Sequence, residues 1–104
     1  MTKDELLELH TEICTKAKET MVLKNHDYAS GGDPFANFRA SLVFSIEPEI
    51  SILVRTIDKL KRIETFITDG KLLVKEESVD DAIEDSINYL ILIAGLIRER
   101  KENV

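Results

Sequence analysis

Residues 78–98 read Ser-Val-Asp-Asp-Ala-Ile-Glu-Asp-Ser-Ile-Asn-Tyr-Leu-Ile-Leu-Ile-Ala-Gly-Leu-Ile-Arg, and two different helical patterns meet in that stretch. Ser78 followed three residues later by Asp81 is a capping-box-like start, which places the N-cap at Ser78. At about 100° per residue, Val79, Ala82, Ile83, Ser86, Ile87 and Leu90 then share one face. Asp81, Glu84, Asp85 and Asn88 share the opposite one. Asp81, Asp85 and Asn88 follow at i, i+4 and i+7, a straight row of oxygen ligands. From Tyr89 to Ile97 the amphipathicity vanishes, with every face apolar apart from Gly95 and the tyrosine hydroxyl. A helix apolar all round must be covered all round, so this half is a central core element or a subunit interface.

Two readings of the acid row stand at this point. The helix macrodipole favours acids in the first turn by about 0.3–1 kcal/mol each, which accounts for Asp80 and Asp81 as a solvated face. Asp85 and Asn88 lie one to two turns further in, where that effect has faded, and they keep a ligand-binding row in play.

Composition narrows the setting. A chain of 104 residues is expected to be one domain, 1–104, with no room for a second core. Four Gly, two Pro and no Trp, with 43% hydrophobic residues, suit a compact helical protein better than a many-turned β sandwich. The formal charge of −6 argues against a general nucleic-acid coat, yet it leaves room for a nucleotide held in a local basic pocket. The single cysteine, Cys14, falls at the edge of an apolar helix face and is expected to be a buried, inert thiol. Met1-Thr2-Lys3-Asp4 is no signal peptide, and Tyr89–Ile97 is about half the length that spans a bilayer, so a cytoplasmic protein is expected.

The remaining elements follow from periodicity and caps. Thr2 and Glu5 form a capping box, and Leu6, Leu9, Ile13, Ala17 and Met21 recur at steps of three and four, predicting a helix over about 3–24. His10 borders its apolar face and reads as a packing residue. The segment 24–39, Lys-Asn-His-Asp-Tyr-Ala-Ser-Gly-Gly-Asp-Pro-Phe-Ala-Asn-Phe-Arg, is dense in amides, charges and aromatics. Gly31-Gly32 breaks the backbone, and Asp33-Pro34 is an N-cap and first-position pair for a short helix. Phe35 and Phe38 are expected to plug the bundle, whereas Lys24, Asp27, Tyr28 and Arg39 are candidate ligand contacts on a functional loop.

Ser45-Ile46-Glu47-Pro48 opens a helix that runs to about Thr68 and is closed by Asp69-Gly70. Ile50, Leu53, Ile57, Leu60, Ile63 and Ile67 occupy a broad apolar arc; Ser51, Arg55, Asp58, Lys59 and Arg62 form a narrow polar stripe. That stripe is a salt-bridged outer face or a phosphate-binding wall in which Asp58 holds Arg55, Lys59 and Arg62 in place. The link 71–77 carries a short apolar run, Leu72-Leu73-Val74, that fits an extended segment or a packed loop.

These pieces together resemble the phage and prophage family called nucleotide modification associated domain 1. The residues that carry the resemblance are Lys24-x-x-Asp27-Tyr28 and Asp33-Pro34-Phe35-x-Asn37-Phe38. They continue with Arg55-x-x-Asp58-Lys59-x-x-Arg62 and Glu77-Ser78-x-x-Asp81-x-x-x-Asp85-x-x-Asn88-Tyr89, in the family's order across residues 24–89. The resemblance implies an all-α protein of phage nucleotide metabolism. A more distant likeness is to the all-α NTP pyrophosphohydrolases of the MazG-like group, which hold Mg²⁺ through Glu/Asp pairs on two antiparallel helices. This chain departs from that pattern, with Asp58 among cations on one helix and Asp81-x-x-x-Asp85 preceded by Glu77 on the next.

The expected architecture is a small antiparallel bundle of three long helices and a short one, completed by a homo-oligomer, dimer or tetramer, with residues 89–97 at its centre. The expected site is a nucleotide pocket between the second and third helices, roofed by residues 24–39. Three functions fit. The first is a Mg²⁺-dependent nucleoside triphosphate pyrophosphohydrolase in which Glu77, Asp81 and Asp85 hold the metal, Asp81 and Asp85 being catalytic. In it Lys24, Arg39, Arg55, Lys59 and Arg62 neutralise phosphates, Tyr28 stacks on the base, and Asp27, Asn37, Asp58 and Asn88 add polar contacts. The second is a non-catalytic binder that sequesters a nucleotide or a cyclic-nucleotide defence signal. The third is an interaction bundle without a ligand.

Overall fold

The computed structural model describes residues 1–28, 32–71 and 78–102, the side chains of 26–28 excepted. It is all-helical: α1 (Lys3–Tyr28), a 3₁₀ helix (Phe38–Phe44), α2 (Pro48–Asp69) and α3 (Val79–Glu102). The expected caps form. Thr2 and Glu5 exchange reciprocal bonds of 3.2 and 3.1 Å at the head of α1. Ser78 and Asp81 do the same at 3.0 and 3.1 Å at the head of α3. Pro48 fills the first turn of α2, where its missing N–H costs nothing. Gly70 ends α2 in the left-handed region (φ 74°), donating its N–H to the Phe66 carbonyl at 2.8 Å.

α3 is the middle of the molecule. α2 and α1 each pack against it, the 3₁₀ helix packs on α2, and among the described residues α1 and α2 make no backbone approach to each other. α2 runs antiparallel to α3, as Lys59 with Asp85 at one level and Glu47 with Arg100 at the other show. α1 crosses α3, with Lys16 reaching Glu84 and, two turns further along α1, Lys24 reaching the neighbouring Asp85.

Phe38, Ile52 and Leu96 form the buried cluster, with Phe35, Tyr89, Leu92 and Ile93 packed around it, so the two phenylalanines do plug the bundle. Gly95 makes room for that plug. A Cβ there would sit 2.9 Å from the Phe35 ring.

Three details differ from the sequence expectation. α1 continues through Tyr28, so residues 24–28 belong to a helix and not to a loop. Cys14 is exposed, its Sγ 3.8 Å from His10 Nδ1 one turn earlier, because α3 covers only the Ala17 side of α1. On α2 the residues turned to α3 are Ile52, Thr56, Lys59 and Ile63, while most of the broad apolar arc (Ile50, Leu53, Ile57, Leu60, Ile67) faces outward.

Candidate functional site

The acid row of α3 is not a solvated face, because α1 lies over it. Glu84 and Asn88 are buried, and the Asp85 side chain is only 15% exposed. The stripe Leu9, Ile13, Ala17, Met21 continues by one step to Lys24, and that register delivers Lys24 to Asp85 at 3.2 Å. From the other side Lys59 Nζ reaches the second Asp85 oxygen at 3.0 Å, with its own side chain 16% exposed. Asp85 is therefore a strut between two ammonium groups, one from each flanking helix.

Above that strut opens a small cleft. Met21, Pro34, Phe38, Tyr89 and Leu92 line it with apolar surface, and Lys24, Asn25, Arg55, Asp85 and Asn88 supply the polar groups. The Arg55 guanidinium stands 5.0 Å over the Phe38 ring, and no ion pair among the described residues uses it. Asn88 Nδ2 donates to the Ala17 carbonyl at 2.9 Å, which fixes its amide. The Asn88 Oδ1 is buried and has no donor among the described residues. A buried acceptor left unpaired costs about 1–3 kcal/mol, so it marks a place where a ligand or water supplies the donor.

The structure sorts the sequence candidates. Lys24, Arg55, Lys59, Asp85 and Asn88 come together at the cleft. Arg39 does not: its guanidinium holds Asp33 at 2.7 and 3.3 Å and Glu99 at 2.9 Å, tying the turn before the 3₁₀ helix to the end of α3. The Arg39 guanidinium, and secondarily the Phe35 N–H, keep the Asp33 carboxyl below the usual carboxylate range. Asn37 sits exposed at the head of the 3₁₀ helix without a side-chain cap bond. Asp58 pairs with Arg62 at 3.3 Å one helical turn on, outside the cleft lining. The side chains of Asp27 and Tyr28, and all of Glu77, lie outside the described residues.

Asp81 is occupied by its cap. The Ser78 N–H, then its hydroxyl and the Lys16 and Lys59 charges, hold the Asp81 carboxyl below its ordinary value. Among the described residues no three His, Cys, Asp or Glu side chains gather closely enough to hold a metal ion. Both Asp85 oxygens already accept from ammonium groups, so the described part of the Glu77–Asp81–Asp85 set does not fit Mg²⁺.

Sequence reasoning missed Met21, Asn25, Pro34 and Leu92. Met21 read as one more residue of the apolar stripe, and ending α1 at residue 24 hid Asn25; carried one turn further, the helix register places Asn25 beside Lys24 on the α3 side. No family model, no curated protein and no solved structure matches this chain. No helix among the described residues is long and apolar enough to cross a membrane.

Proposed function

We propose that this protein binds a small nucleotide in the cleft between α1 and α3 and holds it without turning it over. The observation that carries the reading is the Lys24–Asp85–Lys59 strut beneath a cleft whose outer cation, Arg55, has no carboxylate partner among the described residues. Lys24 is 42% exposed at its side chain and is free to swing to a phosphate while Lys59 keeps Asp85 neutralised. Arg55 offers a planar fork for the same group. Tyr89, Phe38 and Met21 give the base an apolar wall, and the Asn88 Oδ1 accepts from a base amino or ring N–H. The resemblance of residues 24–89 to a phage nucleotide family points to the same ligand class.

Calorimetry of the purified chain against a panel of nucleoside mono- and triphosphates and cyclic nucleotides, with Mg²⁺ and with EDTA, tests it. Binding indifferent to EDTA, with the nucleotide recovered intact, is expected. Mg²⁺-dependent release of pyrophosphate makes the protein a hydrolase and overturns the binder. No heat with any nucleotide leaves a ligand-free bundle.

A further inference from the structure

The buried hydrophobic side chains of the described residues are few: Ala17, Phe38, Ile52, Ala82 and Leu96. Against them stand long apolar residues left in water, seven of them on α2 and three on α3. Their spacing is regular. On α2, Ile52, Thr56, Lys59 and Ile63 follow at steps of four, three and four and are turned to α3, where Ile52 joins the core and Lys59 meets Asp85. A second set on the same helix, Ile50, Leu53, Ile57 and Leu60, with Ile67 one heptad beyond Leu60, follows at three and four and faces away.

α3 repeats the arrangement. Ala82, Ser86, Tyr89, Ile93 and Leu96 face α2, whereas Ile87, Leu90, Ala94 and Ile97 form a second seam; Ile83 lies beside Leu9 and Ile13 of α1. Each second seam lies about a quarter-turn from the first, since neighbouring heptad stripes one residue apart differ by about 100°. On α2 it is displaced away from Arg55, which lines the cleft, and on α3 it is displaced away from Asn88, which touches α1. Both seams therefore open on the same side of the α2–α3 pair, opposite the cleft.

A helix with two apolar seams at right angles is a helix with two neighbours, as in a four-helix bundle. The antiparallel α2–α3 pair is half of such a bundle. We propose that the missing half is the α2–α3 pair of a second copy of this chain, giving a twofold-symmetric four-helix core. The area agrees. The seam side chains on α2 and α3, with Ile57 57% and Leu90 55% exposed, present roughly 600 Å² of apolar surface per chain, against about 800 Å² per partner, polar rim included, in a standard stable interface.

The internal core selects a second copy over an unrelated partner. A chain whose own core is this small needs the cover in order to fold, and another copy is present wherever the chain is made. The two seams run antiparallel, so a twofold axis lays seam on seam. The residues of the fully apolar stretch 89–97 divide accordingly. Tyr89, Leu92, Ile93 and Leu96 serve the chain's own core, and Leu90, Ala94 and Ile97 serve the dimer. Both clefts stay open on the outer sides, and the inference rests on no property of the cleft.

Sedimentation equilibrium of the full chain is expected to give a dimer at low micromolar concentration, with a melting temperature that rises with protein concentration. The double variant Ile57→Glu/Leu90→Glu is expected to lose the dimer, whereas Leu7→Glu, an exposed apolar position on α1 off both seams, keeps it. Should the double variant unfold, the concentration dependence of the parent's melting decides. A folded monomer with concentration-independent melting overturns the proposal. So does a double variant that remains dimeric, or a chain that stays monomeric until a different protein is supplied.

Discussion

Asp85→Asn separates an electrostatic strut from a metal ligand. The carboxylate lies 3.0 Å from Lys59 Nζ and 3.2 Å from Lys24 Nζ, and it is 15% exposed. At an effective dielectric of about 20, unit charges this close attract by roughly 5 kcal/mol before desolvation is subtracted. Breaking a buried pair costs about 3–5 kcal/mol because the surviving charge is left unpaired. Lys59, at 16% exposure, approaches that limit, while Lys24, at 42%, belongs with exposed pairs worth under about 1 kcal/mol. Asn retains one acceptor oxygen, so the expected loss is about 2–3 kcal/mol. Lys24→Met is expected to cost under about 1 kcal/mol. Urea unfolding at one fixed protein concentration measures both, provided the m-value is unchanged. A metal site makes the opposite prediction. Clustered carboxylates repel one another without their ion, and removing one stabilises the metal-free protein. An Asp85→Asn chain as stable as the parent, or more so, refutes the strut.

Other outcomes follow from the same contacts. Lys24→Ala and Arg55→Ala are each expected to weaken nucleotide binding by about 1 kcal/mol or more, whereas Arg62→Ala, beside Asp58 and outside the cleft lining, leaves it unchanged; calorimetry compares the three. Gly95→Ala gains up to about 1 kcal/mol of helix propensity but places a Cβ 2.9 Å from the Phe35 ring, for which overpacking costs about 1–3 kcal/mol. A net loss is expected, and a higher melting temperature would show that Phe35 retreats freely. Asp33 and Asp81 both have carboxyls depressed in the folded chain. Their contribution is therefore present above the unfolded value of about 3.9 and is lost as pH falls through the lower folded values. Arg39→Ala is expected to flatten the Asp33 share of that acid limb, and pH-dependent melting of parent and variant checks it.

Local chemistry was legible in the sequence wherever neighbours in the chain decide the outcome. The Thr2–Glu5 and Ser78–Asp81 capping boxes, Pro48 in the first turn and Gly70 past the last are satisfied within a few residues, so pattern alone located them. Helix class followed from the same periodicities. The extent of α1 was harder to read, because residues 24–28 are polar and aromatic and carry no apolar step of their own.

What the sequence by itself determined is therefore the set of helices and their caps; its site candidates were a wider set, in which Asn37, Arg39, Asp58 and Arg62 stood beside Lys24, Arg55, Lys59, Asp85 and Asn88. What only the tertiary structure decided is which face of each helix meets which neighbour. A helix wheel shows that α2 has an apolar arc and a polar stripe, but several rotations bury comparable apolar area. Packing resolved it by turning Ile52 and Lys59 inward, since Lys59 finds Asp85 there and Ile52 finds Phe38 and Leu96. Arg39 left the candidate phosphate contacts through Asp33 and Glu99, partners six and sixty residues away. Long-range partners of that kind leave no periodic trace in a chain, because a salt bridge fixes a distance in space and not a spacing in sequence.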